Sequence, residues 1–158
     1  MRYRDLNSRQ RSIVNNFLFV TAATIVAILV IIVFREYVNR TEATRAVEHL
    51  GKVVLKYREE KGFIPPESYI LGVKDELEGY ARIGNLHYRA LWIDSECGDD
   101  EILAYTQTGG NAMFLGSGFV VLRLDGRVEW MKEKDFKEMF AQQQDPLEVQ
   151  MLSQKHKQ

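Results

Sequence analysis

Ile13 to Phe34 reads IVNNFLFVTAATIVAILVIIVF, and this stretch decides the organisation of the chain. It carries no charged residue. A helix rises about 1.5 Å per residue, so roughly 20 apolar residues cross a hydrocarbon core about 30 Å thick. A cleaved signal peptide has a shorter apolar region that ends at small residues. Here the run is long and leads into Arg35-Glu36-Tyr37-Val38-Asn39-Arg40. A buried core helix needs a large domain around it, which 158 residues with one strongly apolar segment do not supply. The stretch therefore predicts a transmembrane helix in a lipid bilayer. Asn15 and Asn16 fall at its headgroup end, while Thr21 and Thr24 can bond back to their own helix.

Charge sets the expected orientation. The segment before the helix holds Arg2, Arg4, Arg9 and Arg11 against Asp5 alone, whereas Arg35, Arg40 and Arg45 are matched by Glu36, Glu42 and Glu48. Lys and Arg near helix ends favour the cytoplasm, so residues 1–12 read as a cytoplasmic tail. Residues 13–34 cross the membrane once, and the rest lies on the periplasmic or extracellular side of a bacterial inner membrane. A net charge of -1 and a pI near 6.3 predict no nucleic-acid partner. Cys97 stands alone, so the chain has no internal disulfide framework.

Beyond the membrane the helical pattern continues. Ala43, Ala46, Val47, Leu50, Val53, Val54 and Tyr57 recur at three-and-four spacing, with Glu42, Arg45, Lys52, Lys56 and Glu59 on the other faces. Gly62 suits a left-handed cap and Pro65-Pro66 cannot continue a helix, so it ends near residue 61. A helix over residues 13 to 61 is on the order of 70 Å long. After the prolines, a short helical turn is expected around Val73 to Tyr80. Strands are expected at Leu86–Ile93 and Glu101–Thr108, with a turn at Gly109-Gly110-Asn111 between the second of these and the next. Phe119–Leu124 and Arg127–Met131 flank Asp125-Gly126, which predicts a two-residue hairpin with both turn positions at positive φ. Lys132–Gln144 reads as a short helix with Phe136, Met139 and Phe140 on one side. From Asp145 the polar tail, residues 145–158, has too few apolar residues to build a core, and reads as disordered or as a segment that docks on a partner. The fold class is α+β: a long N-terminal helix packed on a small antiparallel sheet, with the folded domain over residues 35–144.

That architecture resembles the type IV pilins and type II secretion pseudopilins. Tyr57-Arg58-Glu59-Glu60-Lys61-Gly62-Phe63-Ile64-Pro65-Pro66 is similar to the pilin segment in which an aromatic helix end meets glycine and then proline. Gly116 to Trp130 (GSGFVVLRLDGRVEW) resembles a C-terminal motif of pilin-like proteins: a glycine-rich turn, a strand, an Asp-Gly turn and a Val-x-aromatic strand. The resemblance covers most of residues 13 to 140. It implies a pilin-like fold and a structural subunit that associates with like subunits or with a secretion platform. Three positions depart from the family. No glycine precedes the apolar run, no glutamate lies within it, and Leu115 stands where many relatives carry a histidine ten residues before the aspartate. Processing and glutamate-aided helix assembly are therefore not carried over. These departures favour the alternative, a stand-alone anchored sensor or scaffold.

No catalytic set is apparent, so an enzyme is not expected and no small-molecule substrate follows. His49, His87 and His156 lack paired spacing, and no nucleophile elbow, zinc-protease or phosphate-loop motif is present. One acidic cluster is a candidate metal site. Asp94, Glu96, Asp99 and Asp100, with Glu101 beside them, surround Gly98 and offer the oxygen ligands that calcium takes. Their order does not fit an EF-hand, but pseudopilins commonly bind calcium in a loop of the sheet domain, so calcium is the one cofactor that the resemblance suggests.

Overall fold

The computed structural model describes residues 3–77, 85–93, 97–108 and 116–155, with backbone alone at 3–11, 75 and 152–155. The chain divides into two compact units, Met1–Arg35 and Glu36–Gln158. Helix α1 spans Tyr3–Lys61 and so begins well before the expected residue 13. No proline or glycine occurs between Tyr3 and Leu50 to stop it. Among the described side chains of the first unit the apolar ones are exposed, save half-buried Leu29, and the Thr24 hydroxyl donates to the Val20 carbonyl at 2.8 Å. This helix is long and apolar enough to cross a membrane by length and composition.

The second unit is α+β, as expected. α1 ends where Gly62 takes φ 81° and donates its N–H to the Arg58 carbonyl at 2.8 Å. Helix α2 (Glu67–Val73) follows Pro66 directly and passes into a 3-10 turn at Lys74–Glu76. The expected helical turn at Val73–Tyr80 therefore starts too late: Pro66 is the N-cap of α2, so the helix begins at Glu67, and residues 78–80 lie outside the described residues. The sheet is an antiparallel meander of β1 (Leu86–Tyr88), β2 (Ile102–Thr108), β3 (Gly118–Arg123) and β4 (Val128–Lys132), in that order. Helices α3 (Glu133–Gln143) and α4 (Pro146–Lys155) complete the unit. The expected turn at Gly109–Asn111 lies outside the described residues.

Two apolar layers hold the sheet. On one face Ala43, Ala46, Val47, Leu50 and Val54 of α1 pack with Leu103, Ala104, Val120 and Leu122. Five of the seven expected stripe positions are thus buried, while Val53 and Tyr57 are half-buried. On the other face Ile102, Tyr105 and Val121 meet Phe136 and Phe140 of α3. A register irregularity between Ile102 and Ala104 lets Leu103 and Ala104 both join the α1 layer, which strict alternation would forbid. Gly51 sits inside α1 because a Cβ there would come within 3.0 Å of Leu122 Cδ1.

The hairpin differs from the expected type. Only Gly126 has positive φ (87°), while Asp125 does not. Gly126 N–H donates to the Arg123 carbonyl at 3.0 Å and Arg123 N–H to the Arg127 carbonyl at 2.9 Å. The loop is therefore three residues, Leu124-Asp125-Gly126, with glycine in the left-handed position. Asp125 holds it by accepting from Arg127 N–H at 2.9 Å. A two-residue turn would need Asp125 itself at positive φ.

At the other end of β3, Gly118 lies under Trp130. The Trp130 indole N–H donates to Thr108 Oγ1 at 3.1 Å, and the Arg40 guanidinium stacks on its ring at 3.9 Å. A Cβ on Gly118 would press into the indole and come within 2.6 Å of the Met131 carbonyl. The main chain cannot yield there as a side-chain tip can. Gly118→Ala is expected to lower unfolding free energy by about 1–3 kcal/mol, the usual cost of overpacking. Tryptophan emission during chemical denaturation reads this out, and an unchanged midpoint contradicts it.

Candidate functional site

The most elaborate polar arrangement among the described residues is centred on Arg89. Sequence pattern alone places Arg89 inside a strand running to Ile93, but β1 stops at Tyr88. Arg89 has φ -106° and ψ 19°, which is bridge rather than extended backbone, and a 3-10 turn follows at Ala90–Trp92. Trp92 N–H donates to the Arg89 carbonyl at 2.8 Å and closes that turn.

The Arg89 side chain is 3% exposed and its guanidinium donates four hydrogen bonds. Nε donates to Glu148 Oε1 at 2.8 Å and Nη2 to Glu148 Oε2 at 2.9 Å, a two-pronged pair. Nη1 donates to the Ile102 carbonyl at 2.7 Å and Nη2 to the Gln143 carbonyl at 2.8 Å. Glu101 Oε1 lies 3.5 Å from Nη1, and the Phe140 ring packs 4.9 Å from the guanidinium carbon. Gln143 is in the last turn of α3, where the helix dipole favours a cation. Its side-chain oxygen accepts from Ile102 N–H at 3.0 Å and its amide donates to the Asp100 carbonyl at 3.3 Å. One buried cation thus ties together the end of β1, the start of β2, the end of α3, and α4.

Glu148 lies in the segment expected to be a disordered or partner-docking tail. Of those two alternatives the disordered one does not hold: residues 146–155 form α4, and Glu148 is 3% exposed. A carboxylate matched by a forked guanidinium offsets much of its desolvation, whereas an isolated one would stay in water. Beside the pair lies a cavity of about 490 Å³, bordered by Glu67, Lys74, His87, Tyr88, Trp92 and Tyr105. His87 stacks on Tyr105 with ring centres 4.9 Å apart. Neither Arg89 nor Glu148 stood out in the sequence. The available signals were a lone Arg in an aromatic run (HYRALW) and a Glu between Leu147 and Val149.

Tyr88 and Tyr105 have phenols pushed above their ordinary range. Burial is the main cause for both, aided by Tyr57 at Tyr88 and by the Glu148 carboxylate at Tyr105. The Tyr88 hydroxyl also donates to the Pro65 carbonyl at 2.9 Å, which joins β1 to the loop after α1. Above the ordinary phenol value of 10.0, unfolded chains lose these protons while the folded domain keeps them. Stability is therefore complete below pH about 10 and declines as pH rises further. Tyr88→Phe should cost about 1 kcal/mol at neutral pH through the lost hydrogen bond. It should also flatten the alkaline decline, as read by denaturant midpoints between pH 8 and 11.

The acidic cluster is only partly described. Asp94 and Glu96 lie outside the described residues. Asp100 pairs its carboxylate with Arg127, and its carbonyl accepts from Arg123 Nη1 at 2.6 Å. The Asp99 carbonyl accepts from Asp125 N–H at 3.2 Å. These two residues therefore anchor the β3–β4 hairpin, and Glu101 faces Arg89. Among the described residues no group of three or more His, Cys, Asp or Glu side chains is placed to hold a metal ion. His49 borders a cavity of about 330 Å³ with Tyr57 and Tyr69, His156 lies outside the described residues, and Cys97 is half-buried. No family model matches this chain, and no curated protein and no solved structure matches it.

Proposed function

We propose that this chain is a single-pass, membrane-anchored structural subunit of pilin-like design, with its sheet domain outside the cytoplasm. The observation that carries the reading is the apolar surface of α1 from Ile13 to Phe34. Ile13, Phe17, Phe19, Ile31 and Phe34 are each more than 60% exposed, and no described residue covers them. Each large apolar side chain left in water costs about 1.5–3 kcal/mol, so so long a stretch calls for lipid or protein around it. A core helix would be covered by its own domain. Residues 2–11 supply the four arginines that orient the anchor with its N-terminal end in the cytoplasm.

An amphipathic continuation of α1 on an antiparallel meander supports the pilin-like reading. The absent glycine and glutamate favour a second one, a stand-alone anchored scaffold that never enters a filament. Carbonate extraction of native membranes tests the anchor, and the chain is expected in the pellet with its N-terminal peptide uncut. Release into the supernatant overturns it. Cross-linking in the same membranes, followed by mass spectrometry, separates the two roles. Capture of pilin-like subunits or a secretion platform selects the first, and their absence selects the second.

A further inference from the structure

The basic residues on the two sides of the apolar run differ in their company. After it, Arg35, Arg40 and Arg45 are matched in number by Glu36, Glu42 and Glu48. The chain itself also engages two of them: Arg45 pairs with Glu42 at 3.4 Å, and the Arg40 guanidinium stacks on Trp130. Before it, Arg2, Arg4, Arg9 and Arg11 meet one acid, Asp5, and no lysine occurs among residues 1–12. The structure adds the height at which this charge sits. α1 runs unbroken from Tyr3 into the apolar run, so the basic segment is a stiff extension of the anchor. At 1.5 Å per residue the backbone puts Arg11 and Arg9 about 3 and 6 Å before Ile13, and Arg4 about 14 Å before it. The polar layer of a bilayer is about 5–7 Å deep on each side. With the helix near the membrane normal, Arg9 and Arg11 fall within that layer, and Arg4 lies within about one Debye length, about 8 Å, of its surface.

We propose that this end of α1 gathers anionic phospholipids around itself, holding them by their headgroup phosphates. The choice of ligand follows from charge and from residue type. A segment with four arginines and one acid attracts negative charge, and the negative charge available at that height is the lipid headgroup. A guanidinium presents a planar fork that matches phosphate oxygens, and it is more weakly hydrated than an ammonium. Zwitterionic lipids carry the same phosphate with a compensating ammonium, so the preference is for headgroups that lack one. Arg9 and Arg11 are two positions apart, about 200° around the helix, so they serve separate lipids on opposite sides. The result is a shell selected by charge rather than one lipid held in a pocket. Arg9 and Arg11 supply the short-range part, and Arg2 and Arg4 a longer-range part that salt screens. Such a shell forms at the arginine end alone, because the charges after Phe34 are balanced. The proposal rests on the membrane-anchor reading and names the lipid that the anchor prefers.

The test places the full-length chain in phosphatidylcholine vesicles with a trace of spin-labelled lipid, either phosphatidylglycerol or phosphatidylcholine. Electron paramagnetic resonance then gives the fraction of each label that the protein immobilises. An arginine beside an anionic headgroup is worth about fivefold in association, so phosphatidylglycerol should be preferred by about threefold or more, averaged over the whole shell. The Arg9→Gln/Arg11→Gln chain should show a preference near one. Arg4→Gln should lower the preference in 10 mM salt, where the Debye length is about 30 Å, and leave most of it in 150 mM salt. Arg35→Gln, at the balanced end, should change it little. All four substitutions lie outside the sheet domain, so its folding does not enter the reading. Equal immobilisation of the two labels by the wild-type chain, or a preference that survives in the Arg9→Gln/Arg11→Gln chain, overturns the lipid shell and leaves the anchor intact. If neither label is immobilised, the helix is not in the bilayer and the anchor reading falls with the proposal.

Discussion

Replacing Arg89 by alanine is expected to lower the melting temperature of the sheet domain by roughly 10–20 °C, from a loss of about 3–5 kcal/mol. The substitution removes five hydrogen-bond donors from a site that is 3% exposed. It leaves the Glu148 carboxylate without its cation and the Ile102 and Gln143 carbonyls without their donor. Unpaired buried acceptors keep their full desolvation cost, which is why breaking such a pair hurts more than making it helps. Arg89→Lys should recover only part of the loss, because an ammonium cannot serve two carboxylate oxygens and two carbonyls in one plane. Glu148→Ala should cost less than Arg89→Ala. With no other described buried side chain, α4 can swing away and let water reach the guanidinium. Near-ultraviolet circular dichroism on heating tests the order Arg89→Ala, then Arg89→Lys and Glu148→Ala. An Arg89→Ala melting point within 3 °C of wild type at this expected sensitivity would refute the clamp.

Leu50→Ala is expected to cost about 2–5 kcal/mol and to open the domain to protease while the chain stays with the membrane. Leu50 is fully buried where α1 meets Val120 and Leu122, so truncation leaves a cavity that rigid strands close only partly. Val53 stands three residues on but is half-buried, and Val53→Ala should cost well under half as much. The separation of effects follows from which residues do which work. The stripe from Ala43 to Val54 holds the sheet, whereas Ile13–Phe34 is the proposed anchor. Limited proteolysis of carbonate-washed membranes reads both at once. Protease resistance equal to wild type, or release of the Leu50→Ala chain from the pellet, would contradict this division.

Much of the fold was legible because it rests on local periodicity. The apolar run, the three-and-four stripe, the stop at Gly62 and the apolar side of α3 each follow from residues a few positions apart. Element ends were less legible. Pro66 launches α2 at once, and Arg89 turns out of the strand although HYRALW is rich in strand formers. Asp125-Gly126 marked the hairpin correctly, but a third residue, Leu124, belongs to its loop. The candidate site was legible hardly at all, because Arg89 and Glu148 are far apart in the sequence and meet only when α3 has packed.

By itself, then, the sequence determined a long helix with one apolar segment, a buried stripe and an antiparallel hairpin, since spacing along one element dictates which face avoids water. Only the tertiary structure decided that α3 would cover the second face of the sheet, that a register irregularity would send both Leu103 and Ala104 to the first, and that the last helix would be held by a charge. A buried ion pair forms only where two distant segments bring a guanidinium and a carboxylate together out of water, and no local pattern encodes that meeting.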